Sequence, residues 1–320
     1  MKARIGLLIL GWLFLAVAGT RQGHSEEVAL AWTGETWTSL TIKVAVDKGF
    51  FDREGLKAKL ITIRSTELIL KALLLGELDY ATPLPSMGAA ALRGLPVKIV
   101  GVLVKGTGYA IISKPEIKSV RELAGRKIAI SSFGAASDFA AYTFLSKNGL
   151  DPNKDVTMLN VGGTASRFAA LVGGAVDATV VSSPFEYKAE KQGFRTIASV
   201  QELAKVVRLP NAGIAVTQTK IRANPEQIVR VLQALRAATL FVQQEPKQTI
   251  SILESFLKLD PTAAERFYQM YKDQFPLEMK APDEVLDEFK AMAGFRLRIK
   301  EKPFADVASI RDWSFVEKIK

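Results

Sequence analysis

Short runs of aliphatic and β-branched residues alternate along the chain with amphipathic segments. Val28 to Trp32, Leu56 to Ile63, Leu78 to Thr82 and Val97 to Val104 have the length and bounding turn residues of strands. Ser39 to Lys48 and Thr66 to Leu75 carry the helical period between them. A βαβα alternation predicts a mainly parallel sheet flanked by helices. The pattern then restarts about 100 residues on, with strands at Lys127 to Ile130, Asp155 to Asn160 and Ala178 to Val181 and helices at Ala136 to Lys147 and Arg167 to Val172.

The restart repeats residues as well as rhythm. Ala72-Leu73-x-x-Gly76-x-x-Asp79 recurs as Ala170-Leu171-x-x-Gly174-x-x-Asp177, an offset of 98. Each glycine suits a helix C-cap, where a positive φ is cheap, and each aspartate suits the turn into the next strand. That placement makes Asp79 and Asp177 structural turns rather than a catalytic acid and base. Gly49-Phe50 and Gly149-Leu150 each end a helix, and Trp32-Thr33-Gly34 and Ser131-Ser132-Phe133-Gly134 each join a strand to a helix. Two related α/β units facing each other across a cleft account for these matches; the period is too long and the copies too few for a solenoid.

Beyond Arg195 to Val200 the pattern changes. Ala212 to Thr217 is one more strand-like run, and the rest reads as helices over Gln227 to Gln243, Lys247 to Leu257, Pro261 to Lys272 and Pro282 to Met292. Pro225, Pro246, Pro261, Pro276 and Pro282 sit at or near their starts, where a missing N–H costs little. The simplest packing for this tail is closure over the first unit.

The N-terminus is of another kind. Lys2 and Arg4 precede an apolar run from Ile5 to Ala18, and no acid occurs before Glu26. The run has 14 residues, short of the roughly 20 that span a bilayer. A basic start, a short apolar segment and small residues at Ala16-Val17-Ala18 or Gly23-His24-Ser25 predict a secretory signal over residues 1–25, cleaved after Ala18 or Ser25. Cleavage after Ser25 removes Lys2, Arg4 and Arg21 and no acid, so the net charge falls from +10 to +7.

Composition narrows the chemistry further. The chain has 320 residues, 48% apolar and 24% charged, which is a globular balance and long enough for two lobes. It has no cysteine and a single histidine, His24, at the edge of the leader. Disulfides, thiolate metal sites, thiol nucleophiles and a lipidated N-terminal cysteine are excluded, and imidazole chemistry goes with the leader. Carboxylate, lysine or tyrosine chemistry survives this exclusion, and most other catalysis does not. The basic residues are scattered; the densest run, Arg296 to Lys302, is short and holds Glu301, so no nucleic-acid partner is expected. The residual positive charge fits an anionic ligand or an anionic membrane face.

Ligands of open parallel sheets bind where strand ends lead into helices. Those loops are Trp32 to Thr38, Pro83 to Ser86, Ser131 to Ser137, Gly162 to Ser166 and Ser182 to Phe185, all rich in Ser, Thr and Gly. Hydroxyls, close backbone N–H groups and helix N-termini suit an oxyanion, although the same residues are ordinary helix caps. The ligand-binding candidates are Trp32, Thr33, Thr36, Thr38, Pro83, Ser86, Ser131, Ser132, Gly134, Ala135, Ser182, Ser183 and Phe185. Trp37 either walls the site or packs within its own lobe. Arg64 and Arg167 either pair a carboxylate or sulfonate or lie at the surface. Neither a dinucleotide fingerprint nor a phosphate loop occurs, and no cofactor or metal is expected.

Three segments carry a resemblance. Ala45-x-x-Lys48-Gly49-Phe50-Phe51-x-x-Glu54-Gly55-Leu56, Lys118 to Ala129 and Ala169-Ala170-Leu171-x-x-Gly174-x-x-Asp177-Ala178 resemble the solute-binding proteins of ABC importers for sulfonates, taurine, nitrate and thiamine-pyrimidine precursors. The likeness runs from about Val28 to Val216. It implies a two-lobed type II periplasmic-binding-protein fold, with crossovers near Gly106 to Ile112 and Leu209 to Ile214. Lobe one would be 26–108 plus 213–320, and lobe two 109–212. It also implies a periplasmic monomer that is not an enzyme, that captures a small anionic or zwitterionic molecule between its lobes, and that hands it to an ABC permease. The alternatives are a ligand-sensing module for a membrane receptor and a carboxylate- or lysine-dependent enzyme on the same fold. The thiamine-pyrimidine synthases of this fold use a histidine and a cysteine-rich motif, which this chain lacks.

Overall fold

The computed structural model describes residues 25–297 and 305–319. The apolar leader and His24 lie outside them, as do residues 298–302 of the basic run that begins at Arg296. Within the described residues no helix is long and apolar enough to cross a membrane.

Among the described residues, ten strands form two five-stranded sheets. The first has the order β2 (Leu56–Thr62), β1 (Glu26–Trp32), β3 (Tyr80–Pro83), β10 (Ala212–Thr217) and β4 (Val97–Val104). The second has the order β7 (Thr157–Asn160), β6 (Lys127–Ile130), β8 (Ala178–Ser182), β5 (Tyr109–Ser113) and β9 (Arg195–Ala198). In each sheet four strands run one way and one runs against them: β10 in the first and β5 in the second. The reversed strand is in both cases the first to follow a passage from the other unit. This is the two-sheet α/β architecture that the alternation predicts, mainly parallel in direction, and each half repeats the same order.

The repeat has a physical basis. Gly76 and Gly174 end their helices at φ +77 and +75, where a side chain would be strained. Three residues later the Asp79 carboxylate accepts from Ala29 N at 2.9 Å and from Lys220 Nζ at 2.6 Å. Asp177 does the same with Lys127 N at 3.0 Å and Lys114 Nζ at 2.8 Å. Each aspartate thus pins the turn before an inner strand to the backbone of the neighbouring strand. Burial alone would raise the Asp177 carboxyl, but the bonds from Lys114 and Lys127 and the nearby Arg126 charge outweigh it and hold it below the usual range.

The two passages between units lie side by side. Asn211 donates its N–H to Val104 O at 3.0 Å and its Nδ2 to Thr107 O at 2.9 Å, so each linker satisfies the other's backbone. Gly108, at φ +51, lets the first linker pass against Trp37; an added Cβ would stand 2.3 Å from the indole.

Several elements escape the sequence pattern. Helix Leu84–Leu92 stands where a loop from Pro83 to Ser86 is expected. It is buried on nearly every side, so it shows no amphipathic stripe. Helix Val200–Val206 opens with a capping box between Ser199 and Glu202, a signal present in the sequence. Among the C-terminal helices, Pro225–Gln244, Pro246–Leu257 and Pro261–Tyr271 begin at their prolines. Pro276 instead follows the 3-10 turn Lys272–Gln274. The tail also reaches farther than the first unit. Leu232 and Leu235 bury in the first core, but Phe289 of helix Asp283–Leu297 meets Phe139 of the second edge-on at 5.5 Å. Apolar side chains left at the back of helix Ala136–Lys147 need that cover.

Candidate functional site

The ends of β1, β3, β6 and β8 converge between the two units. From the first come Thr33, Thr36 and Thr38 after β1, Pro83 at the end of β3 and Ser86 in the helix that follows it; from the second come Ser131, Ala135 and Ser182. These eight sequence candidates line one narrow inner cavity of about 50 Å³. Several of its hydroxyls are paired: Thr36 Oγ1 with Thr38 Oγ1 at 2.9 Å, Ser131 Oγ with Ser137 Oγ at 2.8 Å, and Thr164 Oγ1 with Ser182 Oγ at 3.1 Å.

Arg167 dominates the electrostatics of this cavity. It projects from the first turn of helix Thr164–Val172 and is 2% exposed. Its Nε donates to Val180 O at 2.8 Å, Nη1 to Gly162 O at 2.5 Å and Nη2 to Thr164 Oγ1 at 3.0 Å. All three acceptors are neutral, and no described carboxylate forms an ion pair with it. Burial pulls its guanidinium down to about 10, with Tyr109 opposing, so it stays charged at neutral pH. A buried cation held only by neutral oxygens carries an uncompensated desolvation cost. Two of its five N–H groups remain for another acceptor.

An outer cavity of about 390 Å³ opens beside the inner one. The two share Thr33, Thr36, Arg64, Gly163 and Thr164. Trp32 and Phe185 line this outer space rather than the inner one. Trp32 is anchored by Nε1 donating to Thr62 Oγ1 at 2.7 Å and stacks on Phe256 at 6.0 Å. Arg64 is exposed at the junction.

The other sequence candidates hold the frame. Ser132 Oγ bonds Thr66 Oγ1 across the units at 2.7 Å. Gly134 donates its N–H to Asp138 Oδ2 at 2.8 Å. Ser183 Oγ pairs with Tyr271 OH at 2.7 Å and with Glu186. Trp37 is buried, stacked 4.4 Å from Tyr271, and faces neither cavity. Thr66, Thr82, Tyr109, Thr164 and Asn211 also line the inner cavity and were not among the candidates. The repeat carries the signal for two of them, since Thr66 and Thr164 open equivalent helices 98 residues apart. Among the described residues no cluster of His, Cys, Asp or Glu is placed to hold a metal.

Two α/β units with one reversed strand each, joined by paired crossovers around a polar cavity, define the periplasmic-binding-protein fold. The chain belongs to the NMT1/THI5-like family, whose model matches residues 38–249. It is 25% identical over 242 residues to a candidate binding protein of Brucella abortus strain 2308, covering 73% of this chain and 72% of that one. The alkanesulfonate-binding protein SsuA of Xanthomonas axonopodis pv. citri, bound to MOPS, superposes with a TM-score of 0.74 at 18% identity, covering 89% of this chain and 98% of that one. The periplasmic nitrate-binding protein NrtA of Synechocystis PCC 6803 does so with a TM-score of 0.66 at 16% identity, over 93% and 86%.

Proposed function

We propose that this chain is an exported, periplasmic solute-binding protein that closes on a small organic or inorganic anion and presents it to an ABC permease. In this reading residues 1–25 are the cleaved signal, 26–108 with 213–320 form one lobe and 109–212 the other, and the protein works as a monomer. The observation that carries it is Arg167: a fully buried guanidinium, paired only with neutral oxygens, in a hydroxyl-lined cavity between the units. An anion there supplies the missing counter-charge and bonds both units at once, so binding and closure are linked. The inner lining contains no aspartate, glutamate or lysine. Carboxylate and lysine side chains are therefore absent from it, which supports capture over turnover. The names of its relatives point the same way.

The test is a thermal-shift and calorimetric screen against sulfonates, carboxylates and nitrate, with Arg167→Leu alongside. A ligand at 100 times its Kd adds about 2.7 kcal/mol to stability. The variant is expected to lose at least about 100-fold in affinity, as when one partner of a buried charged pair is removed. An anion that binds Arg167→Leu as well as it binds the natural chain would refute the assignment.

A further inference from the structure

The outer cavity holds a second electrostatic imbalance. Its walls carry three cations, Arg64, Lys188 and Lys258, against one carboxylate, Glu35. None of the four forms a salt bridge with a described residue. Lys188 lies on helix Phe185–Lys191, directly after β8 of the second unit, with its ammonium 4.9 Å from the Phe185 ring centroid. Lys258 caps helix Pro246–Leu257, which packs on the first unit. The two lysines thus approach one cavity from opposite sides of the cleft. Burial pulls the Lys188 ammonium below its usual range, Lys258 adds to that, and Glu35 only partly opposes it.

We propose that the natural ligand is an organic dianion, with one anionic group on Arg167 in the inner cavity, an apolar body against Trp32, Phe185 and Phe256, and a second anionic group between Lys188 and Lys258. This deepens the reading above and rests on it. Closure without ligand drives two like charges toward each other; a second anion turns that repulsion into attraction, so the outer charge favours the closed form. A zwitterion is disfavoured, because its ammonium would enter a space with an excess of positive charge. The aromatic lining supplies area for a ring or short alkyl spacer.

The experiment is calorimetric titration of the full chain with matched pairs, benzoate against terephthalate and propane-1-sulfonate against 3-sulfopropanoate, with 4-(aminomethyl)benzoate as the zwitterion. The dianion of at least one pair is expected to bind about tenfold tighter than its monoanion, the contribution of two partly screened charge pairs. In Lys258→Gln that ratio should fall toward one, and raising the salt should lower it in the natural chain. Monoanions that bind with no preference for the dianion overturn this inference and leave the anion-binding reading standing. A preference for the zwitterion, or a ratio unchanged in Lys258→Gln, also overturns it. Silence from every anion overturns both.

Discussion

Helices Thr66–Leu75 and Thr164–Val172 occupy the same place in the two units, each opening on a threonine and closing on a glycine-led turn into an inner strand. Their fourth residues differ: Ile69 in the first unit and Arg167 in the second. Both side chains are buried, at 0% and 2% exposure. Ile69 fills the core, as the fold requires of that position. Arg167 occupies the equivalent position with a charge and turns it toward the cleft. One copy of this position therefore keeps apolar packing, and the other carries a buried charge with two N–H groups left for a further acceptor.

Exchanging the two residues breaks this comparison most directly. Ile69→Arg places a cation in a core with no neutral acceptors arranged for it, and is expected to cost about 3–5 kcal/mol or prevent folding. Arg167→Ile removes a buried charge but leaves Gly162 O and Val180 O without their donor, two opposing effects of about 1–3 kcal/mol each. Ligand-free stability should then change by less than about 2 kcal/mol. Urea denaturation of both variants without ligand measures the asymmetry. Equal losses would make Arg167 a structural brace and remove the argument for an anion.

The aspartates make the opposite prediction, because there the two units agree. Asp79→Ala and Asp177→Ala each remove the acceptor of one backbone N–H and one lysine, and each should cost about 1–2 kcal/mol. Asp177 should lose slightly more, its side chain being 18% exposed against 32% for Asp79. Its depressed carboxyl also sets a pH window. The stabilisation is complete above the unfolded-state value near 3.8 and disappears as the pH falls through the lower folded value. Acid titration of the thermal midpoint should therefore be flatter below about pH 4 in Asp177→Ala than in the natural chain. A cost confined to one unit would mean that the repeated motif is a sequence echo without a shared role.

How much of this was legible depends on whether a feature repeats. The strands Val97–Val104, Lys127–Ile130 and Ala212–Thr217 and the helices Thr66–Leu75 and Ala136–Lys147 have the expected bounds, since local period and turn chemistry define them. Helix Leu84–Leu92 was hidden because burial on all sides erases the helical stripe, and β5 because a strand next to a crossover looks like part of it. The strand-end rule points to Thr36, Thr38, Ser131 and Ser182, which line the inner cavity. It also points to Ser132, Gly134 and Ser183, whose polar groups bond Thr66, Asp138 and Tyr271, because a loop residue near the cleft serves equally well as a brace. The sequence alone marks Arg167 only as one of two arginines near strand ends. Aligning its helix with the earlier copy exposes it, since a charge at a position occupied by a core isoleucine is the departure that points to function.

The helices after β3 and β8 give the last and smallest contrast. Leu84–Leu92 is apolar and buried, whereas Phe185–Lys191 carries Glu186. Glu186 accepts from Ser183, which also meets Tyr271 of the C-terminal helices, and its Oε2 is buried without a partner. Burial raises this carboxyl to about 7, against the Ser183 bond that opposes it. A folded pKa above the unfolded one means that the folded chain holds more protons between about 4.5 and 7, so stability is fullest below that window and falls as the pH rises through it. The depressed carboxylates Asp151, Asp177, Glu202 and Asp260 are already ionised there, which isolates the effect. The thermal midpoint should drop by a few degrees between pH 5 and pH 8 in the natural chain. In Glu186→Gln, a neutral side chain of the same shape, most of that drop should vanish while the midpoint at pH 8 rises. If Glu186→Gln keeps the full slope, the carboxyl is hydrated, and the Ser183–Tyr271 contact joins the units without a titrating partner.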